Sequence, residues 1–184
     1  AAFATVGDVM DLEDENRILV REGLKMLRET AHPGMSALIE VNELPRERLS
    51  AFHIGFVLGP CINAGGRLDT AKRALELLDT QDYELALRRA KELKDLNDER
   101  KTMTEQGVKA GIRQIENGPL RDDRVLVVYL PDCHESLAGI IAGRIRERYY
   151  RPVFVLTRGE EAVKGSGRSI ETYSMFEEMS KCRD

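Results

Sequence analysis

The sequence contains no tryptophan, and aromatic residues make up only 5% of its 184 positions. Unpaired bases stack on aromatic side chains, so we do not expect an aromatic-rich platform for nucleic acids, although a single stacking tyrosine would fit this composition. The chain also lacks an excess of positive charge, since 28 Lys and Arg residues face 32 Asp and Glu residues, for a formal net charge of −4. This balance disfavours a protein that coats a polyanion with its whole surface.

Cysteine and histidine are too sparse for the sites that they commonly build. No CxxC pair and no HExxH motif occurs. A disulfide framework or a zinc site is therefore not expected, and this use of cysteine predicts a reducing compartment, the cytoplasm. No apolar run approaches the roughly 18 residues of a membrane span, and no signal peptide is visible, so no membrane association is expected. The residues concerned are Cys61, Cys133, Cys182, His32, His53 and His134.

The chain does contain enough apolar sequence for a folded core. Hydrophobic residues make up 42% of it and charged residues 33%, which separates it from disordered proteins. Its length predicts one domain or two small lobes. The sequence does not begin with Met, opens on apolar residues and stops at residues 181–184 with no tapering tail. We therefore expect it to be an excised piece of a longer protein.

Local patterns predict mainly helices in the first half of the chain. Residues 59–69 are rich in glycine and begin with a Gly-Pro pair, which predicts a loop that brings the backbone close to a ligand. Apolar spacing predicts the other elements. In chain order these are a strand at 2–6, helices at 12–29 and 35–43, a segment at 51–58 that fits either a helix or a strand, and a helix at 70–78.

A long helix is predicted over residues 83–116. Its apolar residues form a narrow stripe, and most of its other positions are charged. This pattern favours a connector between two lobes, although an ordinary bundle helix would also show it. Asn117, Gly118 and Pro119 then mark the clearest boundary in the sequence.

The remainder has the pattern of an α/β protein. Apolar runs at 124–130 and 153–157 predict buried strands, and residues 135–149 between them predict a helix. A strand, a helix and a strand within about 35 residues predict a right-handed unit with parallel strands. A further strand is predicted over 162–170 and a last helix over 173–180. The fold class expected for the whole chain is α/β.

One short stretch near the C-terminus has the composition of a phosphate-binding segment. Its two glycines would leave backbone N–H groups open to an anion, its two serines add hydroxyl donors, and its lysine and arginine supply charge. The surrounding segment 134–168 carries 7 basic and 4 acidic residues, in an otherwise acidic chain. A glycine-containing strand with solvated charges explains the same pattern equally well. The stretch consists of Lys164, Gly165, Ser166, Gly167, Arg168 and Ser169.

Four other residues are candidates on weaker patterns. His134 follows a predicted strand and opens a helix, where sheets of this kind bind ligands, although capping of the turn also explains it. Asn63 and Arg67 offer an amide and a guanidinium to a nucleic acid, or serve only their own loop. Asp8 is either a hard metal ligand or a turn residue at the end of the first predicted strand.

Several segments of the chain share their order and letters with the motifs of one family. In that family the motifs read GTVADV followed by ENR, GPRINAAGRL, LN.ER, HEGVIGIVASR, Y.RP and KGSGRS. The segments of this chain that resemble them are, in the same order, residues 4–17, 59–68, 96–100, 134–144, 149–152 and 164–169. Together they resemble the RecJ single-stranded-DNA exonucleases of the DHH phosphoesterase superfamily. The chain departs from the family pattern at Cys61, which replaces an arginine, at Gly65, which replaces an alanine, and at Ser136 and Leu137 beside His134.

The resemblance implies that the chain is the middle of a metal-dependent exodeoxyribonuclease. Such enzymes degrade single-stranded DNA from the 5′ end with Mn²⁺ or Mg²⁺, in DNA repair and recombination. Residues 1–80 would be the C-terminal part of the DHH catalytic domain, 81–117 an interdomain connector helix, and 118–184 a truncated DHH-associated domain that binds nucleic acid. A single-strand-binding protein or a helicase is an expected partner in the pathway of the parent protein.

The same resemblance implies roles for the candidate residues. Asp8 would be a metal ligand, Asn63 and Arg67 would face the DNA backbone, and His134 with residues 164–169 would hold phosphates or the strand end. The Asp-His-His triplet and the Gly-Gly-His motif of the family are missing from these 184 residues, so we expect the chain alone to be inactive. Two alternatives stay open. One is another DHH phosphoesterase, an oligoribonuclease or a cyclic-dinucleotide phosphodiesterase; the other is a catalytically dead nucleic-acid-binding subunit.

Overall fold

The structure, a computed structural model, describes residues 1–182. The chain forms two compact units, Ala1–Glu99 and a second that begins at Arg100. Within the described residues, none of the helices is both long and apolar enough to cross a membrane.

The first unit is built from helices. They are α1 (Ala2–Gly7), α2 (Asp14–Arg28), α3 (Pro33–Val41), α4 (Ala51–His53), a π-helical turn (Ile54–Leu58), α5 (Gly59–Leu68), α6 (Lys72–Asp79) and the first part of α7 (Tyr83–Asn117). Four of the predicted helices, at 12–29, 35–43, 70–78 and 83–116, are therefore confirmed with shifts of a few residues at their ends. The domain boundaries drawn from the resemblance remain a prediction.

The strand predicted at residues 2–6 is wrong, because these residues form α1. Local hydrogen bonds close the helix: the Asp8 N–H donates to the carbonyl of Ala4 at 2.8 Å, and the Thr5 hydroxyl donates to the carbonyl of Ala1 at 3.2 Å. α1 packs on α2. A short apolar run has the same periodicity in a buried helix as in a buried strand, so only the tertiary contact distinguishes them.

The glycine-rich loop predicted at 59–69 is also wrong, because α4, the π-helical turn and α5 follow one another without a break. A Cβ atom on Gly59 would lie 2.8 Å from the carbonyl oxygen that its own N–H bonds in the π-helical turn. Pro60 follows in the first turn of α5, where a helix does not need its missing N–H. Gly65 admits the Leu93 side chain to 3.1 Å from its Cβ position. Gly59 thus accommodates the π-helical turn, and Gly65 permits close packing of α5 on α7.

The apolar faces of these helices meet in one core. Burial of each large aliphatic side chain there contributes roughly 1.5–3 kcal/mol. The core also decides which side of α5 is exposed, since Cys61 and Ala64 turn inward. The buried cluster consists of Ala37, Leu38, Ile39, Leu49, Leu58, Cys61, Ala74, Leu77, Ala86, Ala90 and Leu93.

The second unit combines a small sheet with helices. Its elements are the remainder of α7, β1 (Leu126–Tyr129), α8 (Ala138–Tyr149), β2 (Val153–Arg158), β3 (Val163–Arg168) and α9 (Met175–Ser180). The strand order is β1-β2-β3, with β1 and β2 parallel and β2 and β3 antiparallel. The predicted strand, helix and parallel strand are confirmed, as are the third strand and the α/β class.

One face of this sheet is covered by α8, and α7 contacts both α8 and β1. The buried strand residues alternate, with Leu126 and Val128 in β1 and Val153 and Val155 in β2. A Cβ atom on Gly111 of α7 would lie 2.7 Å from Ile145 of α8, so that glycine permits the close approach of the two helices. The sheet therefore holds the start of α8 in a fixed place beside β3.

Candidate nucleic-acid interface

Three side chains of β3 share one face of the sheet. Lys164, Ser166 and Arg168 alternate along the strand, so they point to the same side. Their partners across the strand pair are Thr157, Val155 and Val153, which are fully buried against the helical side. β3 thus presents an ammonium, a hydroxyl and a guanidinium on the side where α8 packs.

Arg168 and Ser166 lie directly over a glycine of α8. The Arg168 guanidinium donates to the Ser166 hydroxyl at 3.3 Å and to the Gly167 carbonyl at 2.8 Å. A Cβ atom on Gly139, near the start of α8, would lie 2.9 Å from both Arg168 Nη2 and Ser166 Oγ. One turn later, a Cβ atom on Gly143 would lie 3.9 Å from Arg168 Cγ, an ordinary contact. A glycine at 139 is therefore what lets β3 side chains rest against the helix.

Sequence reasoning did not identify Gly139 as a functional position. A signal was present, because two glycines one turn apart in an otherwise good helix are costly and require a reason. That spacing marks a helix face open to a close neighbour. The identity of the neighbour became visible only in the folded unit.

His134 lies directly before the helical segment, as predicted. It caps a short 3₁₀ turn, Glu135–Leu137, which leads into α8. Its Nδ1 accepts the backbone N–H of Ser136 at 3.3 Å and lies 2.8 Å from the Ser136 hydroxyl. Ser136, one of the departures from the family pattern, therefore fixes the orientation of the imidazole.

Lys164 is paired with Glu135. The two side chains are about half exposed, and Lys164 Nζ lies 2.7 Å from Glu135 Oε2. The hydrogen bond from Lys164 lowers the pKa of the Glu135 carboxyl, and the same bond raises the pKa of Lys164. Lys164 is therefore fully charged at neutral pH, but a carboxylate already compensates this charge.

The other residues of the predicted phosphate-binding stretch make contacts of a structural kind. Gly165 and Gly167 lie in β3, where Cβ atoms would come to 2.6 Å from the carbonyl oxygen of Val155 and 3.0 Å from the ring of Phe154. Packing alone thus accounts for both glycines. The Ser169 hydroxyl donates to the carbonyl of Tyr173 in the turn that follows. A role of these three residues in binding an anion stays a prediction.

Asn63 and Arg67 lie one turn apart on α5, and both are exposed. Residues at this spacing share one face of a helix, so the structure brings the amide and the guanidinium together as the resemblance implies. At position 61 of the same helix, Cys61 is buried between Asn42 and Asn97, with its sulfur 3.7 Å from Asn42 Oδ1 and 3.6 Å from Asn97 Nδ2.

Asp8 follows α1 and is exposed. Among residues 1–182, no three His, Cys, Asp or Glu side chains come together in a way that would hold a metal ion. Metal-assisted hydrolysis needs several such ligands around one ion. The donors described here therefore do not fit a catalytic metal, and Asp8 as a ligand stays a prediction.

Comparison with known proteins identifies relatives along the whole chain. No protein-family model matches it. The single-stranded-DNA-specific exonuclease RecJ of Bacillus subtilis is 36% identical over 186 residues, which cover 100% of this chain and 24% of that protein. RecJ of Escherichia coli K12 is 37% identical over 186 residues, covering 98% of this chain and 32% of that protein. The chain thus spans about a quarter to a third of the length of these curated relatives.

Solved structures agree with this similarity. RecJ from Thermus thermophilus, in complex with Mg²⁺, superposes with a TM-score of 0.84 at 33% identity, over 100% of this chain and 28% of that one. A second structure, exonuclease RecJ bound to manganese, gives a TM-score of 0.82 at 32% identity, over 97% of this chain and 44% of that one.

Proposed function

The chain belongs to the RecJ family of single-stranded-DNA-specific exonucleases, and from this membership we propose that it is part of a DHH-type enzyme that degrades single-stranded DNA in the 5′-to-3′ direction. The reaction is phosphodiester hydrolysis that depends on Mn²⁺ or Mg²⁺, and the pathway is DNA repair and recombination in the cytoplasm. In this enzyme the second unit holds the DNA.

The arrangement of Arg168 and Ser166 over Gly139 carries this proposal. A guanidinium and a hydroxyl on β3 are joined by a hydrogen bond. Both lie against the first turn of α8, a 12-residue helix, where Gly139 has no side chain to block them. The N-terminal end of a helix is electropositive and attracts phosphate groups. A cation, a neutral hydrogen-bond donor and the N-terminal end of a helix lie together here, and these are the usual components of a phosphate-binding site.

Each residue has a distinct task in this site. Arg168 binds two phosphate oxygens through its planar fork, and Ser166 donates its hydroxyl to a third. His134, fixed by Ser136, donates from the remaining ring nitrogen to a phosphate or sugar oxygen. In the first unit, Asn63 and Arg67 bind the DNA backbone. Lys164 contributes less than Arg168, because Glu135 already compensates its charge.

The metal of the proposed reaction has no complete ligand set among residues 1–182. Asp8 would supply one carboxylate, and the remaining ligands would come from other parts of a RecJ protein. We therefore assign to this chain the holding of the DNA strand and no step at the metal. A single-strand-binding protein or a helicase is the partner proposed for the complete enzyme.

The organisation proposed for the chain follows the family. Residues 1–80 are the end of a DHH catalytic domain, 81–117 the connector helix, and 118–184 the beginning of a DHH-associated domain that binds nucleic acid. Limited proteolysis tests this division: cleavage should concentrate within residues 81–117 and release a stable C-terminal product. Cleavage that leaves no stable C-terminal product would contradict it.

Fluorescence anisotropy with a labelled single-stranded oligonucleotide tests the binding role. We expect a Kd no tighter than roughly 10⁻⁵ M, because only a few phosphate contacts are available. Arg168→Ala should weaken binding by about 1–3 kcal/mol, the value of a charge-assisted hydrogen bond. Arg121→Ala is the matched control, since Arg121 is an exposed arginine in the 3₁₀ turn Pro119–Asp122 and belongs to neither β3 nor α8.

The comparison of the two variants decides between a site and general attraction. Equal losses for Arg168→Ala and Arg121→Ala would show nonspecific charge effects and remove the site. Preference for short oligoribonucleotides or cyclic dinucleotides over single-stranded DNA would instead favour another DHH phosphoesterase. If a full-length parent protein bound DNA but never cleaved it, the alternative of a catalytically dead binding subunit would stand.

A further inference from the structure

A second concave feature of the same unit is bordered by the turn that contains His134. It is a pocket of about 510 Å³ between α7 and the segment that follows β1. In parallel sheets, ligands bind outside the carboxyl ends of the strands, and residues 130–134 leave the carboxyl end of β1. The pocket volume lies within the range of roughly 300–1,000 Å³ that is typical of small-molecule sites.

The walls of this pocket are apolar and its rim is polar. Leu130, Leu137 and Met103 supply aliphatic surface. Burial raises the pKa of the Cys133 thiol in the same wall, in keeping with weakly solvated surroundings. At the rim are an amide, a guanidinium and a carboxylate, whose side chains form no hydrogen bond or ion pair with any other part of residues 1–182. These rim residues are Gln106, Arg113 and Asp132.

The charge of the lining contrasts with that of the cluster on β3. Arg113 and Asp132 carry opposite charges, so the Lys, Arg, Asp and Glu side chains of the lining sum to zero charge. A phosphate would gain little there. A flat, uncharged heterocycle would gain apolar contact with the walls, and the rim offers donors and acceptors for its polar edge. His134 lines this pocket, and the next residue, Glu135, contacts Lys164 of β3.

We infer that this pocket binds the base of a nucleotide whose phosphate is held by the cluster on β3. The inference rests on the proposed function and extends it, because it gives the DNA-binding unit a place for a base as well as for a phosphate. Recognition by apolar walls tolerates every base, and the polar rim adds only a modest preference among them.

Amide NMR on the isotopically labelled 184-residue protein separates the two sites with two probes. Deoxyadenosine, which has no phosphate, should shift the signals of Gly107 and Cys133 beside the pocket. Inorganic phosphate should shift the signals of Ser166 and Gly167 on β3 instead. As a second readout, deoxyadenosine should slow alkylation of Cys133 in a Cys182→Ser background, in which Cys61 stays fully buried.

A matched pair of variants tests the location. Ala110→Leu fills the pocket, and Ala162→Leu adds the same atoms at an exposed position in the hairpin between β2 and β3. We expect about tenfold weaker deoxyadenosine binding for Ala110→Leu and no change for Ala162→Leu. Arg113→Ala, which leaves the pocket open and removes a donor, should reduce binding less. This variant keeps the test decisive if Ala110→Leu fails to fold.

The two probes fail independently. If phosphate shifts β3 but deoxyadenosine shifts no pocket signal, the base pocket is overturned and the proposed function stands. If deoxyadenosine binds equally well to Ala110→Leu and the wild type, the pocket assignment is also overturned. If deoxyadenosine binds in the pocket and phosphate leaves β3 unchanged, the pocket remains a base site, but its pairing with a phosphate on β3 and the proposed role of Arg168 are overturned.

Discussion

Lys164 and Glu135 form an ion pair in the second unit, with Lys164 Nζ 2.7 Å from Glu135 Oε2. The pair joins β3 to the 3₁₀ turn before α8, the two elements that carry the proposed phosphate site. It places a negative charge at the edge of a site for an anion. Glu135 therefore moderates the attraction that Arg168 and Lys164 exert on DNA.

The first prediction concerns this pair. Glu135→Gln removes the carboxylate and leaves the Lys164 ammonium available to a phosphate. Binding of a single-stranded oligonucleotide should become tighter, and the slope of log K against log salt should steepen by about 0.7, the value for one additional phosphate contact on a single strand. Anisotropy titrations at several salt concentrations measure both quantities.

Glu147→Gln is the control for this prediction. Glu147 also lies in the segment that carries the site, on α8, and its carboxylate is 3.5 Å from Arg146. The variant changes the net charge by the same amount. An equal gain in affinity from Glu147→Gln would mean that only net charge matters.

The second prediction concerns the titration of Glu135. Its carboxyl has a pKa below the ordinary value of 4.5, because Lys164 donates a hydrogen bond to the ionised form. A depressed pKa stabilises the folded protein at pH values above 4.5, and this contribution is lost as the pH falls through the lower, folded-state pKa. Carboxyl NMR should show a midpoint below 4.5 that returns toward it in Lys164→Met. An unchanged midpoint in that variant would contradict the pairing in solution.

The third prediction concerns the glycines of α8. Gly139→Ala places a methyl group 2.9 Å from Arg168 Nη2 and Ser166 Oγ, so the flexible guanidinium must move away. Gly143→Ala meets only an ordinary contact at 3.9 Å. Both changes favour the helix by up to about 1 kcal/mol, so a loss of stability is not expected.

The two alanine variants should therefore separate binding from folding. We expect Gly139→Ala to weaken DNA binding to about the extent of Arg168→Ala, and Gly143→Ala to leave it unchanged. Anisotropy measures the binding, and thermal unfolding followed by circular dichroism measures the stability. Equal binding by both variants would argue against a phosphate site at the start of α8.

The fourth prediction concerns catalysis. The chain alone should release no nucleotides from labelled single-stranded DNA with Mn²⁺ or Mg²⁺, because the described residues include no cluster of metal ligands. Calorimetry with Mn²⁺ should show no tight, stoichiometric site at Asp8. Metal-dependent cleavage that a chelator abolishes would contradict this prediction.

The sequence by itself determined the family, the α/β class, the long helix and the order of elements in the second unit. The two parallel strands are apolar runs, although only alternate residues of β1 are buried, and a helix lies between them in the sequence, so local patterns suffice for these elements. The motif from Lys164 to Arg168 was also visible, since glycine, serine and basic residues in one short stretch are the components of an anion site.

Only the tertiary structure decided what the glycines do and which charges meet. Residues 2–6 form a helix that packs on α2. Where composition predicted a loop, Gly59 accommodates a π-helical turn and Gly65 permits the packing of α5 on α7. Glu135 and Lys164 are far apart in sequence. They meet only because β3 pairs with β2 and the sheet packs on α8. Spacing along a chain carries no information on such distant contacts, which the packing of the sheet on its helix creates.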